Sequence, residues 1–165
     1  MTYAPAHPRW LDADEQVTWR TYLAASKAIG EAIESQLQRD ADIPHTYYEI
    51  LVRLSEAPGR RLRMSQLADL CLASRSRLSH AVTRLEERGW VSRHACPDDG
   101  RGMLAALTDE GMNALTEAAP GHVNAVREQV FDRLSPDQVK QLREIGEAIL
   151  GGTSPFSRLR GAMSG

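Results

Sequence analysis

At 165 residues and 18.3 kDa the chain can form one domain of ordinary size or two small ones sharing a core. Its 42% hydrophobic and 25% charged residues exclude a disordered polymer, and no apolar run approaches the roughly 20 residues that a membrane helix needs. The formal net charge of −2 excludes a uniformly basic protein but hides an island, since residues 53–101 hold ten arginines, no lysine and six acids.

Residues 1–9 contain two prolines and no periodicity and read as a loose arm. From Leu11 a long helix is expected, because Tyr22, Ala25, Ile29, Ile33 and Leu37 recur at steps of three and four. Asp40-Ala41-Asp42 and Pro44 end it and open a second helix through Tyr47, Ile50, Leu51 and Leu54, which Ala57-Pro58-Gly59 stops. Residues 60–63 form a short extended link. A brief helix around residues 65–72 follows, with Leu67, Ala68 and Cys71 on one side. Ser74 is placed to cap a helix over residues 75–88, and Gly89 to close it in the left-handed conformation. Two apolar helices separated by Ala73 and Ser74 point to a helix-turn-helix.

Residues 90–95 and 103–107 read as strands of a hairpin. Their connector, Cys96-Pro97-Asp98-Asp99-Gly100-Arg101-Gly102, is rich in turn formers. Thr108 caps a further helix to about Leu134, with a kink or break expected at Pro120-Gly121. Ser135-Pro136-Asp137-Gln138 is a capping box that opens a last amphipathic helix through Val139, Leu142, Ile145 and Ile149. Residues 151–165, rich in Gly and Ser, read as a mobile tail.

The chemistry concentrates in residues 75–88. Leu78, Ala81, Val82 and Leu85 make one apolar face, while Arg77, His80 and Arg84 line the other, with Arg75, Ser76 and Ser79 toward the N-terminal end. A helix of this size fits the major groove of B-form DNA, where arginine can donate two hydrogen bonds to guanine. Its N-terminus, capped by Ser74, favours phosphate oxygens. At the hairpin tip Gly100 and Gly102 flank Arg101, leaving its guanidinium free to project toward a narrow minor groove. Asp99 is placed to pair with Arg93 or Arg101 and hold the loop in shape. The arginine island is the expected footprint of local phosphate binding.

Several stretches together resemble the multiple-antibiotic-resistance regulator (MarR) family: Met64-Ser65-Gln66-Leu67-Ala68-Asp69, Ser74-Arg75-Ser76-Arg77-Leu78-Ser79-His80, Arg84-Leu85-Glu86-Glu87-Arg88-Gly89-Trp90-Val91, Asp99-Gly100-Arg101-Gly102 and Leu107-Thr108-Asp109-Glu110-Gly111. The match runs in order over about residues 11–150. The resemblance implies a mainly α (α+β) fold, a winged helix-turn-helix DNA-binding lobe with N- and C-terminal dimerisation helices. The implied order is two helices, a strand, two helices, a hairpin and two helices. Implied partners are double-stranded DNA, a second copy in a homodimer, and a small, often phenolic effector that releases DNA. Two departures from the family pattern stand out: His80, where many members carry an arginine, and Pro120-Gly121 within the long dimerisation helix.

On this reading the chain divides into an arm (1–9), a dimerisation helix and support helix (10–56), a winged helix-turn-helix (57–108), dimerisation helices (109–150) and a tail (151–165). The expected interface is Ser74, Arg75, Ser76, Arg77, Ser79, His80, Arg84 and Arg101, shaped by Asp99 and Arg93. Effector contacts are expected from Trp19, Tyr22, His45, Tyr47 and Tyr48, with Trp19 and Tyr22 read first as dimer core. Cys71 reads as a small core residue and Cys96 as an exposed wing thiol. The five histidines join no close Cys or acid cluster, so neither metal nor cofactor is expected. No phosphate loop, HExxH or nucleophile motif suggests an enzyme. The start Met1-Thr2-Tyr3-Ala4-Pro5 carries no secretion signal, which makes the cytoplasm the expected location. The rival reading is a winged-helix module that docks an acidic protein surface and not DNA.

Overall fold

The computed structural model describes residues 8–96 and 99–151, without the side chains of residues 99–101. The expected arm lies outside the described residues except at its last two positions, and the expected tail except at its first.

Helix α1 spans Ala13–Ala41. Asp12 caps it by accepting from the Glu15 N–H at 2.8 Å, and the Glu15 carboxylate accepts from the Asp12 N–H at 3.0 Å, so two orphan donors are satisfied reciprocally. Asp42, at φ 52°, turns the chain sharply and sends it through Pro44 into α2, His45–Glu56. Strand β1 (Arg61–Arg63), α3 (Met64–Leu70) and α4 (Arg75–Glu87) follow. Then come β2 (Val91–Cys96), β3 (Asp99–Leu107), α5 (Asp109–Gln129) and α6 (Pro136–Ile149). The three strands form one antiparallel sheet in the order β1-β3-β2, with Ala105 of β3 opposite Leu62 on one side and Arg93 on the other.

Periodicity explains the packing. Leu37 from α1, Ile43 from the corner after it, Ile50, Leu51 and Leu54 from α2, Leu67 from α3, Leu78, Val82 and Leu85 from α4, and Ala105 from β3 lose essentially all exposure and build one core. That core fixes α3 and α4 against α2. The recognition of a helix-turn-helix in the sequence therefore rests on a buried apolar seam between those helices.

Two expectations are corrected. Helix α5 runs without interruption through Pro120-Gly121 and ends at Gln129, five residues short of Leu134, where Val130 leaves helical geometry and a short 3-10 turn, Phe131–Arg133, follows. Packing of α5 on α1 offsets the hydrogen bond that Pro120 cannot donate. Gly121 has a separate role there: a Cβ on it would lie 2.8 Å from the Gln36 Nε2, so its bare backbone leaves room for that amide of α1. The hairpin strands also reach further than expected, through Cys96 and from Asp99, because ladder pairing continues to Cys96 opposite Asp99 beyond a bulge at Ala95/Cys96.

The single chain leaves large apolar surfaces uncovered. Helix α6 buries none of its residues, and Leu142, Ile145 and Ile149 on it are exposed, as are Val17, Trp19, Tyr22 and Leu23 on the first half of α1. No helix among the described residues is long and apolar enough to cross a membrane.

Candidate nucleic-acid interface

The turn between α3 and α4 sets the aim of the second helix. Leu72 adopts a left-handed φ of 49°, and the Ala73 N–H donates to the Ala68 carbonyl at 3.0 Å, closing α3. Ser74 then caps α4, its hydroxyl accepting from the Arg77 N–H at 3.3 Å. With Leu78, Ala81, Val82 and Leu85 held in the core, the opposite face has no choice but to point outward. Ser74, Arg75, Ser76, Arg77, His80 and Arg84 are exposed on it, and Ser79 is half-buried. The Arg84 guanidinium is already engaged, donating to Glu87 at 2.8 Å. Two clefts flank this helix. One of about 390 Å³ lies toward the hairpin, lined by Arg63, Ser65, Arg75, Ser79, Arg93 and Met103. The other, of about 560 Å³, lies toward α2 and includes Tyr47, Glu49, His80 and Arg84.

Among the described residues Glu86 fastens the hairpin to α4. Glu86 accepts from the Arg93 N–H at 3.0 Å through one oxygen and from the Arg93 guanidinium at 2.6 Å through the other. The same guanidinium donates to Thr83 at 3.2 Å. Arg93 thus shapes the wing through α4, a tie that residue order did not reveal, whereas the expected Asp99 side chain lies outside the described residues. Arg101 belongs to β3 by its backbone, and its side chain also lies outside them. At the root of the hairpin Thr108 accepts from the Gly111 N–H at 3.0 Å and donates to the Gly89 carbonyl at 2.7 Å, joining the end of α4 to the start of α5.

The cysteine expectations divide. Cys96 is buried, not exposed, because the last β2 residue turns inward beside the bulge. Cys71 follows α3 and is half-buried. Burial, reinforced by Glu49 and opposed by Arg53, pushes its thiol up to about 11, which leaves little thiolate at neutral pH.

The five residues expected to contact an effector do not gather in the single chain. Trp19 and Tyr22 pack on each other with ring centroids 6.0 Å apart on exposed α1. Tyr22 lies about 18 Å of helix away from Glu34, whose carboxylate accepts from the His45 N–H. His45 and Tyr48 instead meet His122 of α5, at centroid distances of 5.9 and 4.3 Å, while Tyr47 faces the cleft beside α4. His122 was absent from the expected set, since α5 and α2 are distant in sequence. Burial, with a smaller contribution from His45, lowers its imidazole below the ordinary range, and its Nδ1 is buried without a hydrogen-bond partner among the described residues. Burial likewise raises the Tyr48 phenol. Among the described residues no group of three or more His, Cys, Asp and Glu could hold a metal ion.

A core-packed helix-turn-helix with an outward basic face, followed by a hairpin pinned to that helix, defines a winged helix-turn-helix protein. The model of the MarR family matches residues 41–102. The chain is 54% identical to Sco3205, a MarR family transcriptional regulator from Streptomyces coelicolor whose crystal structure contains DNA. The two superpose with a TM-score of 0.86 over 90% of this chain and 93% of that one. AbsC, another MarR family transcriptional regulator from Streptomyces coelicolor, is 39% identical at a TM-score of 0.83, over 93% and 99% of the two chains. The transcriptional repressor MprA of Escherichia coli is 28% identical over 108 residues, which are 66% of this chain and 61% of that protein, so the chain spans about three fifths of that relative's length. This chain belongs to the MarR family of transcriptional regulators.

Proposed function

We propose that the protein is a sequence-specific double-stranded-DNA-binding regulator, acting as a homodimeric repressor on a pseudo-palindromic operator in the cytoplasm. The observation that carries this reading is the outward face of α4, where Arg75, Arg77 and His80 stand clear of a core that holds the opposite face. Arg77 and His80 read base edges in the major groove, and Arg75 and the Ser74-capped helix start engage phosphate. Arg101 at the hairpin enters the adjoining minor groove. The DNA present in the Sco3205 structure and the repressor activity named for MprA support the assignment by kinship.

The exposed apolar residues of α6 and of the first half of α1 are the dimer surface in this reading. Two α4 helices then lie about 34–36 Å apart, one turn of duplex. A small aromatic effector bound between the dimerisation helices and the lobes alters that separation and releases DNA, provided it binds the release-competent state more tightly.

Selection of genomic fragments by the purified protein, followed by a salt titration, tests the proposal. Enrichment of a pseudo-palindrome whose affinity falls steeply with salt is the expected result. Weak binding without enrichment, even at low salt, refutes it and favours docking of the basic face on an acidic protein.

A further inference from the structure

Arg88 closes α4 from its far end, and its side chain reaches across 46 residues of sequence to the corner between α1 and α2. Its Nη1 donates to the Asp42 carbonyl at 2.9 Å, and its Nη2 lies 3.8 Å from the Asp42 carboxylate. The guanidinium carbon sits 5.0 Å from the Trp90 ring centroid and 5.9 Å from that of Tyr47. Both distances are within cation–π range. Asp42 is the left-handed residue that ends α1, Tyr47 belongs to α2, and Trp90 leads from α4 into β2. One planar cation therefore touches the end of the long helix, the support helix and the root of the wing.

By spacing Arg88 continues the outward stripe, four residues beyond Arg84, but it lies at the far end of α4 and its side chain is drawn off that face. Arg75, Arg77 and His80 occupy the start and middle of the outward face, whereas Arg88 turns back toward α1. Charge alone does not explain the arrangement. The carboxylate contact is loose, while the carbonyl bond and the two rings suit a flat guanidinium with several fixed donors.

The geometry points to Arg88 as a positioning residue for operator binding, a strut that fixes the axis of α4 relative to α1 and thereby the separation of the two recognition helices in the dimer. This rests on the DNA-binding reading above. The strut touches no DNA, so each lobe keeps its own contacts when it is lost. What changes is how well both lobes engage at once, because a freely tilting lobe must be re-ordered on the second half-site.

The test compares wild type with Arg88→Gln on the operator that wild type selects and on a duplex carrying one half-site, by fluorescence anisotropy well below the unfolding temperature. Affinity for the full operator is expected to fall about tenfold, within the usual span of coupling between sites. Half-site affinity is expected to stay within about twofold, the range of a change that leaves a lobe's own contacts intact. Equal losses on both duplexes, or no loss on either, overturn the strut while leaving the DNA-binding reading in place. If wild type selects no operator, both fall together. Should Arg88→Gln fail to fold, Arg88→Lys, which keeps a cation and a donor but not the planar fork, is read the same way: the ratio of full to half-site affinity falls by a smaller factor, or the strut is refuted.

Discussion

Adding one methyl group at Gly111 should damage the junction between the wing and α5. A Cβ built there lies 2.2 Å from the Trp90 carbonyl oxygen and 2.8 Å from a Leu107 methyl carbon. The nearer obstacle is backbone, so no rotamer change relieves it, and α5 must move away by roughly 1 Å to restore van der Waals contact. That carbonyl also accepts from the Thr108 N–H at 3.0 Å, the bond that launches α5. Its weakening costs about 1 kcal/mol, and overpacking adds about 1–3 kcal/mol. Replacing glycine in a helix returns about 0.5–1 kcal/mol. The net loss is about 1–3.5 kcal/mol, or roughly 2–14 °C in Tm for a chain of this size. Urea denaturation at fixed protein concentration measures it. Gly89→Ala is the internal comparison, since no atom lies within 4 Å of its Cβ and only the φ of 73° resists substitution, at about 1–2 kcal/mol. A loss at Gly111 smaller than at Gly89, or none, would refute the argument from close approach.

Three further outcomes follow from the same geometry. Ile145→Glu places a charge on the uncovered face of α6, so on the proposed dimer sedimentation should show a shift to monomer relative to wild type; an unchanged assembly would remove α6 from the interface. His122 protonates less readily in the folded chain than at its ordinary 6.5. The unfolded state therefore binds more protons below that value, and stability is full above pH 6.5 and declines as pH falls through it. His122→Phe should flatten that decline in Tm between pH 7 and pH 5, and an identical slope would show that other groups cause it. Arg101→Ala should weaken binding most on operators with A·T-rich flanks in competition assays, and indifference to the flanks would exclude a minor-groove role.

The helices and their starts were legible in the sequence because capping is local. Ser74, Thr108 and Ser135 each accept from an N–H three residues on, a relation that spacing alone encodes. The outward set on α4 was legible for a related reason: burying Leu78, Ala81, Val82 and Leu85 determines which residues remain outside. What escaped depends on contacts between distant segments. Pro120 reads as a break until α1 is seen packed on α5, with Gly121 admitting Gln36. The partner of Arg93 on α4, the inward turn of Cys96 and the meeting of His45 and Tyr48 with His122 all follow from how strands and helices dock, which periodicity does not specify. Trp19 and Tyr22 illustrate the converse, as aromatic residues on the same helix as Glu34 need not reach the same site.

The central claim is that the outward face of α4 reads duplex sequence, and Arg77 tests it most directly. Salt-titrated anisotropy of wild type and Arg77→Ala should be run on the selected operator and on a scrambled duplex of equal composition. The account predicts a loss of about 1–3 kcal/mol on the operator, a much smaller loss on the scrambled duplex, and therefore relaxed selectivity. Equal losses on both duplexes, with a shallower salt slope, would mean that Arg77 holds phosphate only and that the reading of bases lies elsewhere.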